Sequence, residues 1–277
     1  MKIDGKTLLL GGLVVAVVAG VSRRASAASS GGAKVKLPQP TRQGREDIRA
    51  IGERIGLSEN WIRFLEATAK NESNFNNLAS RGDPKLQPGW ASSMNKDLSD
   101  AGDARRQYDD ARKTWLKGCG WSAGRYGFGS GGWFAHYPVY AVRAFKGTEL
   151  ACLDPWAIFD PEASVVMALA HLRRTMNRDA FQADPTWVNL RIGWGNPSKM
   201  GDPDVIEKSL TQPKKFADRL AQLGYDPSMA ELRVDPLPNL PEWDELLRQL
   251  KGGSIGAHKR TRGRRGRGGR GGMGVAA

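Results

Sequence analysis

Cysteine and histidine are scarce in this chain of 277 residues, which contains two cysteines and three histidines. His136, His171 and His258 lie far apart in the sequence, and no group of Cys or His residues has the spacing of a zinc site. No cysteine is paired with a histidine in a pattern typical of a nucleophile. The composition therefore predicts no metal centre and no cofactor, and it argues against cysteine-based catalysis.

A long apolar run is also missing. Leu8–Val21 is shorter than the about 20 apolar residues that a membrane-spanning helix needs. Lys2 and Lys6 precede this run, and the small residues Ala25–Ala27 follow it, so residues 1–28 are predicted to be a signal peptide or a short membrane anchor. Either segment would bring residues 8–21 into contact with a membrane. Residues 29–42 contain Ser, Gly and Pro, which predicts a flexible linker.

Acidic residues are nearly absent from the two ends of the chain. Residues 1–44 carry seven Lys/Arg and one Asp, whereas residues 251–277 carry eight Lys/Arg and no acid. The ends together hold +14, so the net charge of +13 leaves −1 for residues 45–250. The Arg/Gly-rich residues 251–277 are predicted to be a disordered tail, which either binds DNA or another polyanion or is only solvated.

Helical signals dominate the neutral part of the chain, and the fold class is predicted to be mainly α. Apolar residues recur at spacings of three and four, and capping residues precede them. We predict helices at Gln43–Ile55 and Asn60–Glu72, after the Asp-Pro pairs at 160, 184 and 202, before Gly224, and around Trp243–Leu250. Only residues 127–133 suggest a short strand pair.

Glu72 falls on the apolar face of the second predicted helix. Because helical residues advance by about 100° each, Trp61, Leu65, Ala69 and Glu72 lie in one stripe. A carboxyl group buried without a cation is kept protonated near neutral pH, and this is the form that can protonate a glycosidic oxygen. The alternative is a solvated glutamate beyond a frayed helix end.

The residues Glu72-Ser73-Asn74-Phe75-Asn76 resemble the start of the catalytic domain of soluble lytic transglycosylases, which are relatives of goose-type lysozymes. Two later stretches extend the resemblance. Tyr126–Phe134 is similar to the Gly-rich hairpin of that family, and Ile158–Val165 is similar to the entry into its long core helix. The resemblance covers roughly Ile48 to Gly195.

The resemblance implies a lysozyme-like catalytic domain over residues 43–225 with a short Gly-rich β-hairpin. A Pro-rich linker and a short amphipathic helix would follow over residues 226–250. The family resemblance further implies that Glu72 is the catalytic acid and that the hairpin backbone approaches the sugar. The expected substrate-binding residues are Ser73, Tyr126, Gly127, Gly129, Gly131, Gly132, Trp133 and Trp194.

The chain also departs from the family pattern. Trp133 and Phe134 stand where the family hairpin usually has a Gln, and Ile192–Pro197 lacks the tyrosine that contacts the catalytic carboxyl. The candidates for the missing hydroxyl are Tyr126, Tyr137 and Tyr140. Goose-type hydrolysis would need a second carboxylate to position water, and Asp83 and Asp97 are the candidates.

The function that the resemblance implies is cleavage of the β-1,4 bond between N-acetylmuramic acid and N-acetylglucosamine in peptidoglycan glycan strands. The expected enzyme is a lytic transglycosylase, located in the bacterial cell envelope or in a phage virion. The alternatives are a hydrolytic goose-type lysozyme, a chitinase-like enzyme, and a non-catalytic lysozyme-fold structural protein of a phage particle with a DNA-binding tail. Cys119 and Cys152 would form one disulfide in an exported protein, and two buried free thiols are the alternative.

Overall fold

The structure is a computed structural model that describes residues 41–81, 96–97, 130–136, 144–145, 148, 150 and 155–252. These residues form a mainly α fold, which confirms the predicted fold class. The helices are α1 (Arg45–Arg54), α2 (Glu59–Ser73), α3 (Pro161–Met176), α4 (Asp179–Ala183), α5 (Trp187–Gly195), α6 (Pro203–Thr211), α7 (Phe216–Gln222) and α8 (Trp243–Leu250). Short 3₁₀ helices occupy Pro155–Ile158, Pro197–Lys199 and Pro227–Glu231.

Local capping residues begin the two main helices as the sequence predicts. The Ser58 side chain accepts a hydrogen bond from the Trp61 amide at 3.4 Å, and Asp160 accepts one from the Ala163 amide at 3.0 Å. Both bonds satisfy amides that have no partner inside the first helical turn.

The Asp-Pro pair at residues 184 and 185 predicts that Asp184 caps the next helix, and this prediction is wrong. Thr186 caps α5 instead and accepts from the Asn189 amide at 3.4 Å, so the helix begins later than the Asp-Pro pair indicates. The Asp184 carbonyl accepts from the Thr186 amide at 2.9 Å, which places Asp184 in the turn before the cap.

Three very short strands pair beside the end of α2. They are β1 (Ala79–Arg81), β2 (Lys96–Asp97) and β3 (Ser130–Gly131), and β1 pairs antiparallel with both of the others. After β3 the chain makes a tight turn at residues 131–136, in which Gly131 and His136 exchange backbone hydrogen bonds of 2.9 and 2.8 Å. Of the predicted hairpin at Tyr126–Phe134, residues 130–134 are described and residues 126–129 lie outside the described residues.

Two glycines allow this turn to pack against the segment that precedes α3. Gly132 has a φ of +75°, and a Cβ atom there would lie 1.7 Å from the Ile158 carbonyl oxygen. At Gly131, a Cβ atom would lie 2.5 Å from the Phe159 ring. Their amides donate to the protein itself, Gly131 to the His136 carbonyl and Gly132 to the Ala79 carbonyl. The prediction that these glycines approach a sugar is therefore wrong, because both are buried against Ile158–Phe159.

We expect Gly132→Ala to lower the free energy of unfolding by about 2–3 kcal/mol, because the left-handed backbone and the contact with Ile158 both oppose a side chain. Gly201→Ala is the matched control, since Gly201 has a φ of +76° with open space around it. The control should lose only about 1 kcal/mol. Chemical denaturation of both variants measures the difference, and equal losses would mean that the packing contact is unimportant.

Helix α2 runs through the centre of the fold. Its Trp61 ring packs edge-on against Trp187 of α5 with centroids 4.8 Å apart, and Phe64 packs against Phe216 of α7 at 5.6 Å. All four side chains are almost fully buried. Burial of large aromatic rings stabilises the fold strongly, and here it fixes the N-terminal half of α2 beside α5 and α7.

The C-terminal part of the described chain packs onto the same core. Leu246, Leu247 and Leu250 of α8 belong to the main hydrophobic cluster. Before α8, Asp235 accepts from the Ser58 hydroxyl at 2.6 Å, and its carbonyl accepts from the Trp61 indole at 3.1 Å.

The basic tail, predicted to begin at residue 251, begins after Lys251. Its ammonium group pairs with Asp160 and, at 2.6 Å, with Glu162, so Lys251 belongs to the folded part. The predicted tail from residue 253 onward and the predicted anchor Leu8–Val21 both lie outside the described residues. Within the described part, no helix combines the length and the apolar character that crossing a membrane requires.

Candidate functional site

Several predicted site residues lie outside the described residues. These are Asp83, Tyr126, Gly127, Gly129, Tyr137, Tyr140, Cys119 and Cys152. Asp97 is described only as a residue of β2, paired with Ala79. The described residues that bear on the predicted site are therefore Glu72, Ser73, Gly131, Gly132, Trp133 and Trp194.

Glu72 lies in the last turn of α2, where the chain turns sharply. Asn74 and Phe75 both have left-handed backbones, with φ of 52° and 64°, so the helix ends and the chain reverses toward β1. A cleft of about 430 Å³ opens at this point. The described residues that line it are polar, apart from Ala79, and they include Lys70, Asn71, Glu72, Ser73, Asn74, Asn76, Arg219 and Gln222.

The Glu72 carboxylate is paired with a cation. Arg191 of α5 donates from Nη2 to Glu72 Oε1 at 2.6 Å, and the two side chains are only 14% and 16% exposed. The prediction of a buried carboxyl without a cation is therefore wrong. The sequence could not reveal this partner, because Arg191 lies 119 residues away. Burial lowers the pKa of Arg191, as does the neighbouring Arg219, although Glu72 opposes this shift.

Asn71 connects the ion pair to α7. With its amide oxygen turned toward Arg191, Asn71 accepts from Arg191 Nη2 at 2.7 Å and donates to the Lys214 carbonyl at 3.2 Å. Arg219 of α7 also lies beside Asn71 and donates to Gln222 at 2.7 Å. The amide therefore holds Arg191 at an orientation in which it reaches Glu72.

Ser73 ties the end of α2 to the turn at residues 131–136. Its hydroxyl lies 3.2 Å from the Ala69 carbonyl and 3.0 Å from the Trp133 carbonyl, so its single proton is shared between two acceptors. Ser73 also lines the cleft. The structure therefore gives Ser73 a positioning role beside Glu72.

Trp133 does not face the cleft. Its side chain is fully buried, and its indole donates to the Phe75 carbonyl at 3.1 Å. A ring with no exposed face cannot stack on a sugar, so the prediction that Trp133 binds substrate is wrong. Its role is to pack beneath the chain reversal that follows Glu72.

Trp194 is partly exposed and packs in an aromatic group. Its ring lies 5.0 Å from His171, 5.3 Å from His136 and 5.9 Å from Phe134. Trp194 is not among the described residues that line the Glu72 cleft. Sugar stacking by Trp194 at this cleft therefore stays a prediction without a contact to support it.

His136 is buried in the same group and cannot easily accept a proton. Burial is the main cause that lowers its pKa to about 3, and nearby His171 adds to this effect, while a hydrogen bond with the Ser164 carbonyl opposes it. In the unfolded chain, His136 binds a proton near the ordinary histidine pKa of 6.5, whereas in the folded protein it stays neutral down to about pH 3. The contribution of neutral His136 to the free energy of unfolding is therefore fully present above pH 6.5 and is lost as the pH falls below it.

We therefore expect the titration of His136 to lower the free energy of unfolding by about 2 kcal/mol when the pH falls from 7 to 5. Urea denaturation at both pH values should show this component in the wild type. His136→Gln should lack it, because the amide does not titrate. The same pH dependence in both proteins would contradict the assignment.

Sequence reasoning missed a second glutamate on α2. Glu66 is completely buried, with Arg45 Nε at 2.9 Å and Arg49 Nε at 3.2 Å from its oxygens. Tyr225 donates its phenolic proton to Glu66 and accepts from Arg45 at 2.6 Å and from Arg49 at 2.9 Å. Burial raises the pKa of Tyr225, and so does the hydrogen bond to Glu66. We call these four residues the Glu66 cluster.

A signal for Glu66 was present in the sequence. Ile62, Glu66 and Ala69 are spaced by four and three residues, so the same helical periodicity that marks Glu72 also places Glu66 on the buried face. The Glu66 cluster joins α1, α2 and the loop after α7, and cations and a hydroxyl surround its carboxylate. This arrangement is typical of a structural ion-pair network.

The described residues contain no group of three or more His, Cys, Asp or Glu side chains that could hold a metal ion. Among the described residues, the cleft offers the Glu72 carboxylate with its Arg191 partner, the cations Lys70 and Arg219, and the surrounding amides and hydroxyl. Comparison of the chain with models of protein families, with curated proteins and with solved structures gave no match.

Proposed function

We propose that the protein is a peptidoglycan-cleaving lytic transglycosylase of lysozyme-like fold, and that it cuts the β-1,4 bond between N-acetylmuramic acid and N-acetylglucosamine at the Glu72 cleft. The observation that carries the proposal is the position of Glu72. Glu72 lines a polar cleft of about 430 Å³ at the end of a helix whose residues from Trp61 to Ala69 are mostly buried in the core. Catalytic groups held on such elements keep a precise orientation.

In this reaction Glu72 acts first as an acid and then as a base. The protonated carboxyl gives its proton to the glycosidic oxygen, so the bond to the muramoyl C1 breaks and the N-acetylglucosamine leaves as an alcohol. The carboxylate then removes the proton from the muramoyl 6-hydroxyl, and that oxygen bonds to C1. The products are a new sugar end and a 1,6-anhydro ring, and no water is consumed.

Arg191 has to release Glu72 before this carboxyl can carry a proton. The ion pair between Arg191 and Glu72 is short and little exposed. An incoming sugar that takes over one of the hydrogen bonds of Arg191 would weaken this pair directly. In the free protein, Arg191 fixes the carboxylate rotamer. We propose that Arg191 returns to stabilise the carboxylate after proton transfer to the leaving oxygen.

The lining of the cleft suits a glycan. Asn71, Asn74, Asn76 and Gln222 supply amide donors and acceptors, which match the hydroxyl and acetamido groups of the sugars. Peptidoglycan glycan strands are therefore the proposed partner of the cleft. The basic segment that begins at residue 253 is a second proposed partner surface, for DNA or another anionic polymer.

A second candidate is a non-catalytic lysozyme-fold protein of a phage particle. Two observations favour it: Arg191 neutralises Glu72, and Trp133 is buried where the resemblance implied a sugar contact. In this alternative, the pair of Glu72 and Arg191 only stabilises the fold, and the basic tail contacts packaged DNA.

Incubation of the purified full-length protein with intact peptidoglycan sacculi distinguishes the two candidates. The enzyme is expected to release soluble glycan fragments at a rate proportional to protein concentration. The turbidity of the suspension and the mass of the released fragments measure this rate. A suspension that stays unchanged, while the protein remains folded by circular dichroism, would favour the scaffold.

A further inference from the structure

A second cavity adjoins the Glu72 cleft and is strongly basic. It has a volume of about 300 Å³, and it shares Asn71 and Arg219 with the cleft. Its described lining includes no Asp or Glu. Five cationic residues line it, and these are Arg191, Lys199, Lys214, Lys215 and Arg219. We refer to this space as the basic cavity.

The positive charge around the basic cavity is only partly compensated. Arg191 pairs with Glu72, and Lys199 lies 3.4 Å from Asp202 with its side chain about half exposed. In the described part of the chain, Lys214 and Lys215 form no ion pair, and Arg219 donates to the neutral Gln222 side chain at 2.7 Å. At least three positive charges thus face one cavity without a carboxylate opposite them.

One further acid, Asp218, bonds to the Lys214 backbone but is not among the described residues that line the basic cavity. Asp218 Oδ2 accepts from the Lys214 backbone amide at 2.7 Å and from the Gln222 side chain at 2.6 Å, so it serves the start of α7. Lys214 itself has a left-handed backbone with a φ of 64°, which a lysine adopts rarely. This backbone holds two consecutive lysines at the rim.

Like charges held this close oppose one another. Arg191 and Arg219 line the same cavity, and the pKa of Arg191 is lowered by burial and, to a smaller degree, by Arg219. An anion placed between them would relieve this repulsion. The cavity also offers two neutral polar side chains, Asn196 and Ser209, as hydrogen-bond partners.

We propose that the basic cavity binds an oxyanion group, a carboxylate or a phosphate, on a ligand that extends into the Glu72 cleft. Arginine and lysine together give both the directional and the point-charge contacts that such groups take. This inference rests on the proposed function for the identity of the ligand. A peptidoglycan strand carries carboxylates on its stem peptides, and the shared lining of the two spaces lets one ligand reach both.

Binding is tested on the full-length protein by titration with inorganic phosphate and, separately, with an N-acetylated acidic dipeptide at constant ionic strength. Nuclear magnetic resonance locates the effect. Amide shifts should move in residues 195–199 and 214–219. Tighter binding of the dipeptide would point to a peptide carboxylate, and tighter binding of phosphate to a phosphate-bearing polymer. Either supports an oxyanion site.

Lys215→Gln and Lys208→Gln form a matched pair of variants. Both lysines are exposed, but only Lys215 lines the basic cavity. We expect Lys215→Gln to weaken binding about two- to fivefold, the size of a partly exposed charge contact, and Lys208→Gln to leave it unchanged. Shifts confined to residues elsewhere, or equal weakening in both variants, would overturn the proposal.

The result does not depend on whether the protein cuts glycan. Anion binding at the basic cavity without any cleavage of sacculi would preserve this inference and remove the proposed enzyme. Cleavage of sacculi with no local anion binding would do the reverse.

Discussion

Glu72→Gln is expected to abolish glycan cleavage while the protein remains folded. The amide keeps the volume of the side chain and can still accept from Arg191, but it cannot deliver a proton to the leaving oxygen. General acid-base catalysis typically contributes about 10²–10⁴-fold, and the rate of fragment release should fall by this amount. Release of soluble fragments from sacculi at matched protein concentration measures the change.

Arg191→Gln provides the control for this experiment, because it breaks the same ion pair from the other side. Both variants should be destabilised to a similar degree. Only Glu72→Gln should lose cleavage completely, because Arg191→Gln keeps the carboxyl group that we propose as the proton donor and acceptor. Equal rates in Glu72→Gln and the wild type would remove Glu72 from the mechanism. Equal and complete loss of cleavage in both variants, together with loss of the folded structure by circular dichroism, would leave the pair with a purely structural role.

Glu66→Ala is expected to cause the largest loss of stability, about 3–5 kcal/mol. Breaking a buried ion pair leaves uncompensated charges, and here Arg45 and Arg49 would lose their shared buried carboxylate. The two arginine side chains are about one third exposed, so water partly compensates them and we expect a value at the lower end of this range. Chemical denaturation at neutral pH measures the loss.

Glu53→Ala is the matched control for Glu66→Ala. Glu53 also approaches Arg49, at 3.8 Å, but its side chain is 61% exposed. Surface pairs of this kind contribute about 0–1 kcal/mol, so the control should differ little from the wild type. A loss below about 1 kcal/mol in Glu66→Ala would contradict the interpretation of the Glu66 cluster as a structural ion-pair network.

The helices were predictable because their signals are local. A Ser, Thr or Asp before an apolar run satisfies the first helical amides wherever the rest of the chain lies, and this holds at Ser58 and Asp160. The failure at Asp184 has a local cause as well. Thr186 lies two residues later and caps α5, so the Asp-Pro pair falls in the preceding turn.

The polar partners in the core were not predictable, because they come from distant parts of the chain. Arg191 is 119 residues from Glu72, and Tyr225 is 159 residues from Glu66. Helical periodicity marks a residue as buried, but it does not show which cation or hydroxyl the fold brings to it. The same limit explains Trp133, whose position on a Gly-rich turn gave no sign that Phe75 would accept its indole proton.

The central claim is that Glu72 cuts glycan strands without using water. Digestion of sacculi in water labelled with heavy oxygen, followed by mass spectrometry of the fragments, tests it most directly. We predict fragments that end in 1,6-anhydro-muramic acid and carry no label, and their absence when Glu72→Gln replaces the wild type. Labelled reducing ends would mean hydrolysis, and intact sacculi with a folded protein would mean that the cleft is not a catalytic site.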